Sequence, residues 1–253
     1  AFLPVVALSA GKARAQEQDD WQVMLGAGAI YAPDYEGSDD HEVTPFPFIA
    51  VSYRDLLYVR GPEIGVNVVR LKPSEDLKIN LGPLARYRRD RPEDRNDDLR
   101  GLGDVDMAIE LGGAFAVEYR KAWMRVTVAH DVAGGHEGLI AEGEAGIRFD
   151  LAERLGASVS ARTSWADENY MGTYFSVAAA QSAASGLRAY QASSGLKDAG
   201  ASLGLNYRLG GNWMISAIGG YSRLLGDAAD APLVKERGSA DQWHAGLFLA
   251  YRF

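Results

Sequence analysis

The amino-acid sequence predicts an all-β fold: a transmembrane, antiparallel, up-and-down β-barrel of about twelve strands, with ten as the alternative. Every second residue from Trp243 to Phe253 is apolar, whereas those between are mostly polar or small. This period of two is typical of a strand with a different medium on each face. Trp243 and Tyr251 lie eight residues apart, about 26 Å at ~3.3 Å per residue. A tilt of ~40° projects this to about 20 Å, close to the apolar band of an outer-membrane barrel.

The same alternation recurs along the chain and is the second observation behind the prediction. Several of the apolar faces begin and end on aromatic residues, as in the pairs Trp21 and Tyr31, and Trp213 and Tyr221. Half-buried strands of soluble β-sandwiches alternate in the same way. The prediction of a membrane barrel therefore depends on the number of apolar faces that end in aromatic residues. The predicted strands include segments 21–31, 77–87, 105–119, 139–151, 155–165, 199–207 and 213–221.

The lengths of the connections are the third observation. Tight turns are predicted at 54–55, 120–121, 152–154 and 210–212, and long polar connections at 32–42, 90–103, 167–197 and 226–241. Short periplasmic turns alternating with long extracellular loops are typical of outer-membrane barrels.

The strand number depends on segment 56–71. If both termini are periplasmic the number must be even, yet the clear segments number eleven when 56–71 is one strand. Proline cannot donate to a central ladder and Gly-Pro favours a turn, so we predict a break at Gly61-Pro62-Glu63. The break raises the number to twelve and leaves two short strands.

Composition excludes several classes of protein. The chain has 253 residues, 47% of them hydrophobic, a formal charge of −8 and no cysteine. Without a clustered basic face, we expect no nucleic-acid partner. No apolar run reaches the ~18 residues of a membrane helix.

The N-terminus predicts export. Residues 2–10 are apolar and Ala13-Arg14-Ala15 fits the small-x-small rule of a cleavage site. We therefore expect residues 1–15 to be a residual signal peptide and 16–253 to be a single barrel domain. The alternative is a cytosolic protein whose N-terminal segment is an apolar strand.

The connection 167–197 is too long for a plain loop. Its alanine-rich run at 178–184 predicts a short helix. The segment has three open interpretations: a lid, a constriction inside the lumen, or an ordered surface loop.

Five segments resemble one known family. They are Pro-Asp-Tyr-Glu-Gly-Ser-Asp-Asp at 33–40, Pro-Phe-Pro at 45–47, Gly-Leu-Gly-Asp at 101–104, Tyr-Gln-Ala-Ser-Ser-Gly-Leu at 190–196, and Leu-Gly-Asp-Ala-Ala-Asp-Ala-Pro-Leu-Val at 225–234. In this order they resemble the MltA-interacting protein (MipA/OmpV) family of outer-membrane proteins, which usually has Ser where this chain has Ala231. The resemblance implies an outer-membrane barrel. It further implies a scaffold between a murein-cleaving transglycosylase and a murein synthase, with adhesion or small-molecule and antibiotic passage in other members, and no catalytic residues.

The predicted inward faces carry charges of both signs. Such charges need water or each other, because an unpaired buried charge is costly. They fit an ion-paired, narrow lumen or a polar channel equally well. The candidate lumen-lining residues are Arg86, Arg88, Glu110, Glu118, Arg125, Glu142, Glu144, Arg148, Arg162, Arg208, His244 and Arg252.

Three groups of residues could form a catalytic or metal-binding site. His130-Asp131 resembles a protease pair, but adjacent strand residues point to opposite faces. A lipid-modifying serine hydrolase would need Ser and His on the lipid side near the outer rim, whereas Ser222 and His244 face inward near that rim and are better explained as polar lumen residues. The acidic loop between Asp34 and Glu42 lacks the spacing of a calcium loop. We therefore expect no catalytic residue, metal or cofactor.

Two functions remain. The first is a non-enzymatic outer-membrane scaffold in a Gram-negative bacterium, in contact with outer-membrane lipid and lipopolysaccharide. It would offer its short turns to a murein lytic transglycosylase and a murein synthase. The alternative is a porin-like channel for small polar solutes or antibiotics, whose selectivity is set by the inward charges.

Overall fold

The computed structural model describes residues 20–253, which form one antiparallel sheet closed on itself. Its strand segments are β1 (Trp21–Pro33), β2 (His41–Tyr53), β3 (Leu57–Arg60), β4 (Glu63–Val66), β5 (Val69–Leu71), β6 (Leu77–Arg88), β7 (Ala108–Tyr119), β8 (Ala122–Asp131), β9 (Leu139–Ala152), β10 (Leu155–Ala166), β11 (Gly195–Gly210), β12 (Trp213–Leu224) and β13 (Asp241–Arg252).

The barrel wall has twelve strands, because β4 and β5 both pair with β6 and make one interrupted strand. The predicted break in 56–71 is confirmed: β3 ends at Arg60, β4 begins at Glu63, and Gly61 has a φ of 55°. The tight turn at 54–55 is confirmed as well, with both residues at positive φ.

The closing strand β13 pairs with β12 and with β1, which joins the two ends of the chain's sheet. The main-chain N–H of Phe253 also donates to the carbonyl of Val23 at 3.0 Å. Closure therefore extends to the last residue. Segment 105–119 differs from the prediction: Val105 forms an isolated bridge with Arg91, and β7 begins only at Ala108.

The outer surface of the barrel is apolar and exposed. Leu247 is 60% exposed and Leu203 49%, which in water would create a patch far larger than soluble monomers carry. Aromatic pairs lie at both ends of this surface: Trp21–Tyr53 and Trp213–Tyr251 near the short turns, and Tyr221–Trp243 near the long loops. These are the two interfacial girdles of a membrane barrel. Among the described residues, no helix is long and apolar enough to cross a membrane.

The inner face of β1, β2, β12 and β13 is also largely apolar. Gly26 and Gly28 on β1 leave room for rings from both neighbouring strands, since Gly28 pairs with Phe46 on one side and Phe248 on the other. The rings of Phe48 and Phe248 lie 5.9 Å apart. We call Ile30, Phe46, Phe48, Ile218 and Phe248 the apolar strip.

The long loops pack into a cap over one end of the barrel. The cap contains helices α1 (Glu168–Phe175), α2 (Ala179–Ser185), α3 (Gly226–Asp230) and α4 (Pro232–Arg237). The predicted alanine-rich helix is thus present as α2. The cap has two buried hydrophobic clusters. Together they comprise Tyr35, Leu99, Leu102, Val105, Ile140, Ala166, Tyr170, Met171, Tyr174, Phe175, Val177, Leu187, Ala192, Leu224, Ala228, Ala231, Leu233 and Val234.

In segment 167–197, α1 contributes side chains to the cap core over the mouth of the barrel, which is the placement expected of a lid. Tyr170, Met171 and Phe175 are all at most 1% exposed. Of the three interpretations of segment 167–197, this placement favours the lid. The predicted signal peptide, residues 1–15, lies outside the described residues.

We expect Gly28→Val to impair folding of the barrel. A Cβ at Gly28 would lie 2.1 Å from the carbonyl oxygen of Leu247, a main-chain atom of β13 that cannot move without opening the closing ladder. The cost should exceed about 3 kcal/mol, measured by urea titration of the heat-modifiable folded band on gels. Gly143→Val is the matched control, since its Cβ would meet nothing within 4 Å. Equal stability of the two variants would contradict the prediction.

Candidate functional site

The candidate site is the lumen, a cavity of about 1500 Å³. Its lining contains fifteen Arg and Lys residues against twelve Asp and Glu residues, although the whole chain has a formal charge of −8. The lumen is therefore more cationic than the protein as a whole. Its walls are charged along β6–β11 and apolar along the strip on β1, β2, β12 and β13.

The structure places the twelve candidate residues on the inner face. Ten line the lumen: Arg86, Arg88, Glu118, Arg125, Glu142, Glu144, Arg148, Arg162, Arg208 and Arg252. Glu110 is fully buried behind that lining. His244 is half-buried beside Gly220, and its Nε2 has no hydrogen-bond partner among the described residues.

An ion-pair network joins the upper barrel wall to a cap loop. The carboxylate of Glu110 accepts from Nε of Arg86 and Nε of Arg88, both at 2.6 Å, and lies 3.1 Å from Nε2 of His136. Arg86 also donates to Glu142 at 2.5 Å. Because Glu110 and the His136 side chain are fully buried, loss of these partners would leave an uncompensated carboxylate.

A second network fastens the cap to β11. The ammonium of Lys197 pairs with Glu36 of the cap and, at 2.7 Å, with Asp198. Asp198 in turn accepts from Ser164 Oγ at 2.7 Å, and Glu36 accepts from Tyr170 Oη at 2.9 Å. Lys197 is fully buried, so this pair is a second buried electrostatic link between cap and barrel.

Tyr170 is the contact point of the two networks. Its ring lies 5.3 Å from the guanidinium of Arg88, 5.6 Å from the ammonium of Lys197 and 4.8 Å from the ring of His136. Tyr174 packs beside it at 4.7 Å. Cations over the face of an aromatic ring are stabilised when water is excluded.

Sequence reasoning missed Lys197, and the structure gives the reason. An odd-numbered residue of β11 should face lipid, as Ala199 and Leu203 do. The register shifts between Ser164 and Trp165, so Asp198 pairs with Ser164 and Leu196 with Trp165. Such a bulge re-aims the extra side chain. The signal in the sequence was a lysine on a face that the period of two assigns to lipid.

Arg91 is a buried cation in the roof of the lumen. It is 7% exposed, and its Nη1 donates to the carbonyl of Tyr174 at 3.3 Å. Its Nε has no partner, and no carboxylate lies within 4 Å of it among residues 20–253. Burial lowers the pKa of its guanidinium.

The lumen is roofed at one end and open at the other. Tyr35, Tyr170 and Tyr174 of the cap line its upper part and are each at most 7% exposed. At the end with the short turns, the lining includes Lys78, Asn212 and other rim residues.

The structure does not bring together the residues of either candidate catalytic pair. His130 is exposed, whereas Asp131 is buried and accepts from the main-chain N–H groups of Ala133, His136 and Glu137. Ser222 accepts from Arg162 at 3.0 Å. No hydrogen bond joins Ser222 to His244 within the described part of the chain.

The acidic loop also has a structural role. Asp34 and Asp40 accept from the Asn96 amide at 2.8 and 3.2 Å, and Glu42 lies 3.6 Å from Arg89. Across residues 20–253, no group of three His, Asp or Glu side chains is placed to hold a metal ion.

Comparison with known proteins was made on sequence and on structure. The model of the family described as MltA-interacting protein MipA matches residues 25–253. "Putative outer membrane protein YiaT" of Escherichia coli strain K12 is 27% identical over 220 residues, 84% of this chain and 85% of that protein. "MltA-interacting protein" of the same strain is 24% identical over 232 residues, 91% and 89% of the two chains. The NanC porin structure is 8% identical, with a TM-score of 0.46 over 91% of this chain and all of that one.

We expect Lys197→Met to release the cap. The substitution leaves Glu36 and Asp198 without their cation, and breaking a buried pair costs about 3–5 kcal/mol. Hydrogen exchange of α1 should accelerate accordingly while the barrel strands stay protected. Lys235→Met is the control, because its pair with Asp230 is exposed on both sides and should be worth at most about 1 kcal/mol. Slow α1 exchange in Lys197→Met would show that other contacts hold the cap.

We also expect the cap to loosen in acid. Burial raises the pKa of the Glu36 carboxyl, but Lys197 and Arg88 outweigh this and hold it below its ordinary value of 4.5. A depressed folded-state pKa means that the stabilisation is complete above the ordinary value and is lost as the pH falls below it. Exchange of α1 followed from pH 7 downward should accelerate in that acid range, corrected for intrinsic exchange. In Glu36→Gln the acid step should shrink, and an unchanged step would assign it to other carboxylates.

Proposed function

The chain belongs to the MltA-interacting protein family of outer-membrane β-barrels, and from this premise we propose that it is a non-enzymatic scaffold. In this proposal its periplasmic rim binds murein-remodelling enzymes. Its export through a cleaved signal peptide and its contacts with lipopolysaccharide stay predictions from the sequence.

The observation that carries the proposal is the asymmetry of the two ends. The cap has a buried core and is fastened by the Glu36–Lys197–Asp198 network, which closes the extracellular mouth. At mid-height of the barrel, the guanidinium of Arg125 on β8 forms an ion pair with the carboxylate of Glu63 on β4, with an N–O distance of 2.5 Å. These contacts oppose free passage of solutes and leave the periplasmic rim as the accessible surface.

The periplasmic rim carries a ring of exposed ion pairs. They are Arg54–Asp20, Lys78–Asp55, Arg120–Asp76 and Lys121–Asp150, with N–O distances of 2.5 to 3.1 Å. Exposed pairs add about 0–1 kcal/mol each to stability. Alternating charges on a rim instead set orientation and on-rate with a protein partner.

The relatives support the same function. One relative carries the name MltA-interacting protein and aligns over 91% of this chain. That name says of the relative that it interacts with MltA, and the proposal extends this to the present chain as binding to a murein lytic transglycosylase, with a murein synthase as a second partner.

The cavity favours a second candidate function. A charged lumen of about 1500 Å³ that is open at the periplasmic rim could conduct small polar solutes if the cap moves away. In that case the inward charges, Glu144 and Arg148 among them, would set the selectivity.

We expect charge reversal on the rim to weaken partner binding. The variant Lys78→Glu/Arg120→Glu/Lys121→Glu should raise the Kd for the soluble domain of the cognate MltA-type transglycosylase by about tenfold, since three exposed contacts are together worth ~1.5 kcal/mol. Binding to the detergent-solubilised barrel can be followed by biolayer interferometry at fixed salt.

The control reverses the same number of charges on the cap, as Arg100→Glu/Arg188→Glu/Lys235→Glu, and should leave the Kd unchanged. Equal Kd values for the two variants, or no binding by the wild type, would overturn the scaffold. Planar-bilayer recording tests the channel function. Steady, step-like openings of the wild type, with an ion selectivity that changes in Glu144→Gln or Arg148→Gln, would support it.

A further inference from the structure

The barrel wall is incomplete beside the upper half of β2. The strand β3 pairs only with Ala50–Tyr53 at the lower end of β2. Above this point, residues 43–48 pair with β1 on one side. Within residues 20–253, no strand and no hydrogen bond reaches their carbonyl groups from the other side. Open edges of this kind do not occur against lipid unless something satisfies or blunts them.

Two prolines blunt this edge. The carbonyl of Ile49 faces β3 and accepts from Gly61 N–H at 3.0 Å, so the other odd-numbered residues of β2 direct their main-chain groups to the same side. Pro45 and Pro47 occupy two of these positions, where they leave no unpaired N–H. Proline at an edge also prevents pairing with a further strand, which excludes β-strand addition as the use of this edge.

The opening has defined limits, and we call it the notch. Its lower limit is the β3–β4 turn, where Gly61 bonds to Ile49 and the N–H of Tyr87 donates to Pro62 at 3.0 Å. Its upper limit is the contact between Glu42 and Arg89 at 3.6 Å. Because Val43 pairs with Tyr31 of the upper aromatic girdle, the notch lies in the upper half of the apolar band, at the depth of the outer leaflet.

The lumen behind the notch is amphipathic. Phe46 and Phe48 extend inward from the open edge and belong to the apolar strip with Ile30, Ile218 and Phe248. The same cavity reaches Gly61, Arg89 and the buried Arg91. Arg91 follows closely after β6, on the far side of the notch from β2, and has a free Nε and no carboxylate partner within the described chain. Apolar surface and a cation without a carboxylate partner among the described residues thus line one cavity.

We propose that the notch admits an acyl chain of an anionic, phosphate-bearing lipid of the outer leaflet. One acyl chain lies on the apolar strip and the phosphate binds Arg91. A membrane lipid fits because the notch opens toward the acyl chains, whereas the cap closes the route from the aqueous side. Nothing in this proposal depends on the scaffold function, which concerns the opposite end of the barrel.

The test uses single-cysteine variants, since the chain contains no cysteine. Phe46→Cys is labelled with bimane and reconstituted into vesicles of unlabelled phosphatidylcholine with increasing fractions of phosphatidylglycerol brominated on its acyl chains. Leu205→Cys on the lipid-facing surface is the positive control, and Ser158→Cys on the inner face of β10 is the negative one. Heat-dependent gel mobility establishes that each variant is folded.

We expect the label at residue 46 to be quenched as strongly as that at 205, and the label at 158 to be quenched little. Adding Arg91→Gln to Phe46→Cys should raise the phosphatidylglycerol fraction at half-quenching by about tenfold, as expected for loss of a charge-assisted hydrogen bond. The exposed Arg100→Gln is its matched control. Brominated phosphatidylcholine should quench residue 46 less than phosphatidylglycerol does.

Two results would overturn the proposal. If residues 46 and 158 are quenched alike, acyl chains do not enter through the notch. If brominated phosphatidylcholine and phosphatidylglycerol quench residue 46 equally, or Arg91→Gln has no effect, the site does not select an anionic headgroup. A failed transglycosylase-binding experiment would leave either outcome unaffected, so this inference and the proposed function fail separately.

Discussion

The structure depends on one constraint: in hydrocarbon, each main-chain N–H and C=O must find its partner inside the protein. A sheet meets this constraint only by closing, and here the closing ladder joins β13 to β1. The ladder requires Gly26 and Gly28, because any Cβ there would collide with main-chain atoms of β13. Where the wall is left open beside β2, Pro45 and Pro47 remove two of the main-chain donors that would otherwise face the opening. Closure satisfies this rule around most of the wall, and the prolines reduce the number of unsatisfied donors where closure is incomplete.

Closure also decides where the charged residues go. The outer face must be apolar, so the polar half of each strand is directed into a lumen too narrow to hydrate every charge. The charges therefore pair, as Glu110 does with Arg86 and Arg88. A buried pair contributes little net stability, but removing one partner is costly. The Lys197 link between cap and barrel consequently specifies one closed arrangement of the cap more than it strengthens the fold.

The sequence predicted the wall well and the cap poorly, for a physical reason. Strand positions follow from a local period of two, and even the break at Gly61-Pro62 follows from the missing donor of proline. The neighbours of β13 follow from closure. By contrast, the Lys197–Glu36 pair joins residues 161 positions apart, and it exists only because a bulge turns Lys197 inward. Likewise, His136 lies in a short loop whose path has no periodic pattern, so nothing local indicated its contact with Glu110.

The segments that carry the family resemblance lie in two places. Tyr35, Leu102, Ala192 and Leu233 come from four of the segments and are all buried in the cap core. The remaining segment, Pro45-Phe46-Pro47, forms the open edge of the notch and part of the apolar strip. Of the charged residues in these segments, only Asp34 and Glu36 line the lumen, and Glu36 is paired with Lys197. A solute-selective pore would place its distinguishing residues along the conduction path, whereas here they build the closure of one end and the edge of a lateral opening. The resemblance therefore favours a barrel closed toward the outside over an open pore, and leaves the membrane and the periplasm as its two accessible sides.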